Sequence, residues 1–223
     1  MRSWETREDC VVTDEPLYAH YLAETGLDHP GRDEVIAAGE TDWRRVVADL
    51  VGALPEGTRI HYQKHMTHHL LAHIERSWLT RLTNVILIRE PAEVIASYRS
   101  SRAHVEPADL GLLQQRELHE YLSVRGVRPP IVEAADFLRD PTGYLEWLCD
   151  LVGVPFSTAM LSWPAGPRAS DGVWAQHWYG TVLASTGFAP YRKRSFELGG
   201  EDAAVAAACR PAYDELADAR VRV

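Results

Sequence analysis

The sequence has little cysteine and no long hydrophobic run. Its three cysteines, Cys10, Cys149 and Cys209, follow no metal-binding spacing, and we expect reduced thiols. No stretch is apolar enough to span a membrane, and the polar first residues are not typical of a signal peptide. Net positive charge is absent too, because the formal charge is −9, which argues against a nucleic-acid partner. We therefore expect a cytoplasmic protein with neither a membrane nor a nucleic-acid partner.

The composition is that of an ordinary globular chain. Hydrophobic residues make up 46% of the 223 residues and charged residues 25%, so we expect a single domain over residues 1–223. Short apolar runs near Val11, Ile60, Ile86 and Ile131 predict four strands, and helical patterns lie between them. This alternation predicts an α/β fold, with a three-layer open parallel sheet and helices on both faces.

One stretch, Asn84–Arg102, combines a strand, a turn and a helix. Val85 to Ile88 is a short, branched apolar run typical of a buried strand, and Arg89 follows at its carboxyl end. Ala92 to Arg102 is predicted to be helical, and it carries Ser97 eight residues after Arg89. Ligands of open α/β sheets bind at the carboxyl ends of the strands. A guanidinium there is a planar fork for a phosphate, and a hydroxyl adds another hydrogen bond.

Arg89 and Ser97, at this spacing after an apolar strand, resemble the 3′-phosphate-binding element of sulfotransferases that use 3′-phosphoadenosine 5′-phosphosulfate (PAPS). The segment Ile131–Phe156 is similar to a second hallmark of that family. It has a strand, an acidic-aromatic turn, an Asp-Pro pair, a helix and a Gly-Val-Pro-Phe exit, in the family's order. The alternative is a generic strand–turn–helix unit, with an arginine at a sheet edge and a serine on a helix surface.

The loop Pro167–Tyr179 carries a third similarity to the family. Arg168, Gly172 and Trp174 resemble the late loop that closes over the 3′-phosphate, although they stand one residue closer together. A glycine lets backbone N–H groups approach an anion. The tryptophan is suited either to stacking on adenine or to packing the loop, and the alternative is a surface loop anchored by that tryptophan.

Three residues are candidates for the chemistry itself. Glu15 follows the first strand, where some bacterial and protein-tyrosine sulfotransferases place their catalytic glutamate. His65 ends the next strand and resembles the lysine–histidine site of the cytosolic sulfotransferases, more tightly spaced. Either side chain can take a proton from an acceptor. Lys64, one of only two lysines, is suited to contact the sulfuryl or bridging oxygen as a point charge.

Each candidate also has a structural alternative. Glu15 suits a helix-capping carboxylate, His65 a hydrogen-bonded histidine at a strand end, and Lys64 a surface lysine. His68 and His69 lie close to His65, but the three lack a further ligand at a recognised spacing, so no metal is expected.

The resemblance implies transfer of a sulfuryl group from PAPS, the co-substrate, to a hydroxyl or amine of a small-molecule acceptor. It also implies a P-loop NTPase-like fold. The first βα unit, with the loop that cradles the 5′-phosphosulfate, is not found before Met1, and we expect this form to be poorly active. Alternatives are a nucleotide kinase-like protein and a non-catalytic nucleotide-binding relative. An aminotransferase would need a Schiff-base lysine and a larger chain.

Overall fold

The computed structural model describes residues 1–99 and 104–223. It contains four strands, which we label β1 (Cys10–Asp14), β2 (Ile60–Lys64), β3 (Ile86–Ile88) and β4 (Ile131–Glu133). β1 pairs with β2 and β3 pairs with β4, and both pairs are parallel. The four predicted strands and the α/β class with parallel strands are therefore confirmed.

Helices connect and flank the strands. In the described residues the α-helices are α1 (Tyr18–Thr25), α2 (Arg32–Ala38), α3 (Trp43–Leu50), α4 (Pro91–Tyr98), α5 (Pro107–Leu110), α6 (Leu112–Ser123), α7 (Ala134–Arg139), α8 (Pro141–Leu151), α9 (Ala175–Trp178), α10 (Gly180–Ala184) and α11 (Gly200–Asp218). Short 3₁₀ helices cover Trp4–Thr6, Thr67–His69, Ser77–Arg81 and Thr158–Leu161. The helix predicted up to Arg102 ends at Tyr98, and residues 100–102 of that prediction lie outside the described residues.

The chain divides into two compact units. The first unit contains Met1–Trp78 and Cys149–Phe188, and it holds β1 and β2. Its apolar packing includes a cluster of buried α1 side chains, such as Leu22, with Val35 of α2. The second unit contains Leu79–Leu148 and Ala189–Val223. The prediction of a single domain over residues 1–223 stays a prediction.

The core of the second unit forms around β3 and β4. Ile88 and Ile131 from the strands are almost fully buried, as is Ile95 of α4. Small and apolar residues of α11, including Ala212 and Leu216, pack against them. Burial of this apolar surface is the main stabilising term for such a unit.

The register of β1 and β2 brings acidic and basic side chains to one end of the pair. Asp14 lies opposite Lys64, the last residue of each strand. The backbone N–H of Glu15 donates to the carbonyl of Lys64 at 2.8 Å, so the ladder continues one residue further. Because the strands are parallel, their carboxyl ends coincide, and three charged residues meet there.

Across the part of the chain that the structure describes, no helix is both long and apolar enough to cross a membrane. Cys10, Cys149 and Cys209 are free thiols.

Candidate functional site

Four side chains of the first unit, Asp14, Glu15, Lys64 and Tyr179, form what we call the acid–lysine cluster. The Lys64 ammonium donates to Glu15 Oε1 in a short contact. It also donates to the Tyr179 hydroxyl at 3.1 Å and lies 3.4 Å from Asp14 Oδ1. The Tyr179 hydroxyl donates to Asp14 Oδ2 at 2.5 Å. One ammonium therefore serves two carboxylates and a phenol.

The cluster is largely withdrawn from water. The exposed fraction is 0% for the Asp14 side chain, 10% for Glu15 and 28% for Lys64. Burial raises the pKa of Glu15 above its ordinary value, and the attraction of Lys64 offsets only part of that rise. Burial alone would lower the pKa of Lys64, but the carboxylates of Glu15 and Asp14 outweigh it and raise that pKa. Glu15 is thus a stronger base than a glutamate in water.

The backbone of Glu15 is unusual for its residue type. Its φ is 42°, in the left-handed region, and among the described residues it is the only one besides glycines with a positive φ. Hydrogen bonds on either side hold it: its N–H donates to Lys64, and its carbonyl accepts from the Tyr18 N–H at 3.0 Å. Strained residues of this kind are found preferentially at functional sites.

A buried imidazole faces the other oxygen of Glu15. His69 Nδ1 lies 3.9 Å from Glu15 Oε2 and has no hydrogen-bond partner among the described residues. The His69 ring stacks on Tyr18 with centroids 4.6 Å apart. Burial first, and then the neighbouring basic groups His68 and Lys64, hold the pKa of His69 well below its ordinary value, so the ring is neutral. Within residues 1–99 and 104–223, no group of three or more His, Cys, Asp or Glu side chains is placed to hold a metal ion.

His65 makes different contacts from Lys64. Its Nε2 lies 3.3 Å from Gln63 Oε1, and its ring centroid is 6.0 Å from that of Trp78. Gln63 and His65 lie on one side of the chain and Lys64 on the other, as the alternation along a strand requires. Burial, with a smaller contribution from Lys64, lowers the pKa of His65 to about 4. Its imidazole is therefore neutral and a weak base.

The loop with the three remaining predicted residues of this unit is packed in place. Arg168 donates from its side chain to the Pro164 carbonyl at 2.7 Å. The Trp174 indole contacts Tyr18 edge-on, with centroids 5.3 Å apart, and covers Gly172 so closely that a Cβ there would overlap the ring. Gly172 is thus required by the packing of Trp174, a reason that the sequence pattern did not indicate.

An ion pair ties this loop to the first residues of the chain. Arg2 donates to Asp171 Oδ2 at 2.8 Å, and both side chains are only 5% exposed. The same carboxylate oxygen accepts from the Arg168 backbone N–H at 2.7 Å. Ser170 donates to Glu5 in a short contact.

An open cavity of about 660 Å³ lies between these two segments. Its lining combines residues of the first twelve positions with residues of the 159–170 segment, among them Arg2, Glu5, Cys10 and Arg168.

The predicted 3′-phosphate residues Arg89 and Ser97 lie in the second unit. Arg89 follows β3, and its Nε donates to Glu93 Oε2 at 2.9 Å. Glu93 is buried and also accepts from the Tyr191 hydroxyl at 3.0 Å. The Arg89 side chain is 44% exposed, and Ser97 lies exposed on α4. The binding role of these two residues stays a prediction.

Of the predicted catalytic residues, the structure brings Glu15 and Lys64 into contact and directs His65 to other partners. Sequence reasoning missed the participation of Asp14 and Tyr179. Asp14 carried a signal, because it is the last residue of the strand that Glu15 follows. Tyr179 carried none, because it lies 115 positions from Lys64 in the sequence.

Comparison with known proteins gives a family and a few relatives. A model of the sulfotransferase domain matches residues 1–218. Branched-chain-amino-acid aminotransferase-like protein 2 of Arabidopsis thaliana is 34% identical over 221 residues, which are 97% of this chain and 38% of that protein. Its counterpart, protein 1, is 37% identical over 207 residues, 91% of this chain and 36% of that protein. The chain thus spans a little over a third of the length of these relatives.

Two solved structures also share similarity with the chain. The sulfotransferase domain from the Synechococcus PCC 7002 olefin synthase has a TM-score of 0.42 at 18% identity and covers 86% of this chain and 74% of that one. The sulfotransferase domain from the curacin biosynthetic pathway has a TM-score of 0.40 at 16% identity, with 87% and 78% covered.

Proposed function

The chain belongs to the sulfotransferase domain family, and from this premise we propose that it transfers a sulfuryl group from PAPS to a hydroxyl or amine of a small-molecule acceptor. The observation that supports the proposal most is the contact between Glu15 and Lys64 at the carboxyl ends of β1 and β2. It places a buried base and a cation together at the edge where ligands of parallel sheets bind. The free thiols are consistent with the cytoplasm as the place of reaction.

In the proposed reaction Glu15 accepts the proton of the acceptor hydroxyl or amine. The acceptor atom forms its bond to sulfur while the bond from sulfur to the bridging phosphate oxygen breaks. Lys64 neutralises the negative charge that develops on the departing oxygen, as a fixed point charge in a site of low dielectric. Such a reaction depends on positioning and electrostatics and needs no covalent intermediate on the protein.

The same proposal assigns the binding of PAPS, the donor, to other predicted residues. Arg89 and Ser97 would bind the 3′-phosphate. The exposed part of the Arg89 guanidinium fits this role, because its Nε is held by Glu93 and the side chain still reaches solvent. A guanidinium oriented in this way suits bidentate binding of a phosphate.

The first test measures release of adenosine 3′,5′-bisphosphate from PAPS in the presence of alcohol, phenol and amine acceptors. Glu15→Gln, which keeps the shape but not the base, should lower kcat about 10²–10⁴-fold. Lys64→Met should also lower it. Glu24→Gln, at an exposed position on α1, is the matched control and should leave the rate unchanged. Equal rates for Glu15→Gln and Glu24→Gln would remove Glu15 from the mechanism.

The pH dependence distinguishes the two candidate bases. A base must be deprotonated, so the rate rises with pH through its pKa. Because burial raises the pKa of Glu15, the acid limb should lie above the ordinary glutamate value of 4.5. With His65 as base, the limb should instead lie at about 4. A limb at about 4 that survives in Glu15→Gln would transfer the role to His65.

Titration calorimetry tests the ligand class. Adenosine 3′,5′-bisphosphate should bind more tightly than ATP, and Arg89→Ala should weaken it. Tighter binding of ATP would favour a nucleotide kinase-like protein. Binding of the bisphosphate without transfer to any acceptor would favour a non-catalytic nucleotide-binding protein.

A further inference from the structure

Tyr179 joins the acid–lysine cluster from a distant part of the sequence. It lies between α9 and α10 and is 165 positions from Asp14 along the chain. Its hydroxyl makes two hydrogen bonds, donating to Asp14 Oδ2 at 2.5 Å and accepting from Lys64 Nζ at 3.1 Å. The ring itself is buried.

The direction of these two hydrogen bonds is fixed. Burial first, and then the negative charges of Glu15 and Asp14, raise the pKa of Tyr179 above its ordinary value, so the phenol keeps its proton. A protonated phenol has one hydrogen to donate, and the Asp14 carboxylate takes it. Its lone pair is then directed to the Lys64 ammonium.

Asp14 depends on this hydroxyl. The Asp14 side chain is fully buried, and its Oδ1 has no hydrogen-bond partner among the described residues. Its negative charge is therefore compensated by the Tyr179 hydroxyl on Oδ2 and by the Lys64 ion pair at 3.4 Å. A buried carboxylate that loses a donor draws the nearest cation toward itself, because uncompensated charge in the interior is costly.

We propose that Tyr179 is a positioning residue for Lys64. By compensating Asp14, it leaves the ammonium against Glu15 instead of on Asp14. This inference rests on the proposed function in that it assigns Tyr179 to the preparation of the transfer site.

The position of Tyr179 also links the cluster to the loop of the predicted donor residues. The Tyr179 N–H donates to the Ala175 carbonyl at 2.8 Å, and the Ala175 N–H donates to the Gly172 carbonyl at 2.9 Å. A short, hydrogen-bonded segment therefore runs from Gly172 to the hydroxyl that holds Lys64.

The chain offers a direct probe of this role, because it has only two lysines, Lys64 and Lys193. In protein containing isotope-labelled lysine, NMR of the Nζ–H₃⁺ groups yields at most two signals. Lys64, held by the cluster, should exchange its protons slowly with water. Lys193 is exposed and serves as the internal reference.

Tyr179→Phe removes the hydroxyl and keeps the ring. It should shift the Lys64 signal and speed its proton exchange about tenfold, since the ammonium is drawn from its short contact with Glu15 toward Asp14. Tyr144→Phe is the matched control, because Tyr144 is also buried but donates to the Val221 carbonyl in the second unit. The control should leave the Lys64 signal unchanged. An unchanged Lys64 signal in Tyr179→Phe would overturn the proposal.

A double variant keeps the proposal testable if Tyr179→Phe does not fold. In Tyr179→Phe combined with Asp14→Asn, the carboxylate that attracts the ammonium is gone. Lys64 should therefore return to Glu15, and the slow proton exchange of its ammonium should be restored. Failure of the double variant to restore it would overturn the proposal as well.

An activity measurement separates this inference from the proposed function. In an assay of PAPS turnover, Tyr179→Phe should lower kcat by at least about tenfold and leave the KM for PAPS unchanged. The acid limb of its pH–rate profile should move upward. If the wild-type chain transfers no sulfuryl group but the NMR effect is present, the positioning role stands and the proposed function fails. If turnover is present and the acid limb does not move, the positioning role fails and the function stands.

Discussion

The left-handed backbone at Glu15 predicts a reversal of the usual preference for alanine over glycine. Its φ of 42° is a conformation that costs a residue with a Cβ about 1–2 kcal/mol and costs glycine almost nothing. Glycine also makes the unfolded chain more flexible, which opposes folding by about 0.4–1 kcal/mol. The two effects leave a net advantage for glycine of about 0.8 kcal/mol at mid-range, within limits of roughly 0 and 1.6 kcal/mol.

The experiment compares Glu15→Gly with Glu15→Ala. Both variants lose the contact with Lys64, so their difference isolates the backbone term. Urea unfolding should give the glycine variant the higher midpoint at an unchanged m-value. The matched pair is Glu120→Gly and Glu120→Ala, at an exposed position inside α6, where alanine should be favoured by about 0.5–1 kcal/mol. An alanine variant as stable as the glycine variant at position 15 would refute the left-handed backbone.

Two further substitutions test the loop. Gly172→Ala should destabilise the protein by about 1–3 kcal/mol, because the new methyl group overlaps the Trp174 ring. Gly180→Ala is the control, because a Cβ there meets no atom within 4 Å, and it should change the free energy of unfolding by less than about 0.5 kcal/mol. Asp171→Ala leaves the buried Arg2 guanidinium with Glu5 at 3.4 Å and the Gly166 carbonyl at 3.5 Å, and it should cost about 3 kcal/mol in urea unfolding. A loss below about 0.5 kcal/mol in either case would contradict the packing described for this loop.

The strands, and the places of Glu15 and Lys64 at strand ends, follow from local patterns. The sequence predicts strands near Val11 and Ile60, and charged residues that follow parallel strands collect at one edge of a sheet. The structure shows that these two strands are neighbours. The contact of Tyr179 with Lys64 could not be predicted in this way. It joins positions 115 apart through a loop whose path depends on tertiary packing, and no periodic pattern encodes it.

Gly172 is a different case. Its place between an arginine and a tryptophan indicated a backbone that approaches an anion, and that role stays a prediction. The structure gives a nearer reason for the glycine, because the Trp174 ring occupies the space of a Cβ. A sequence motif shows which residue types recur but not which neighbour fills the space beside them.

The composition of the acid–lysine cluster explains why its glutamate is suited to act as a base. Two carboxyl groups share one ammonium, so the cation cannot fully compensate both. The buried Asp14 carboxylate has the Tyr179 hydroxyl besides Lys64, whereas Glu15 has Lys64 on one oxygen and a neutral imidazole 3.9 Å from the other. Burial therefore dominates at Glu15 and raises its pKa. Two neighbouring carboxylic acids in different environments commonly take different roles, and one of them then acts in proton transfer.

Removing the Asp14 charge alone should free Lys64 for Glu15 and lower the pKa of Glu15. The acid limb of the pH–rate profile should therefore move downward.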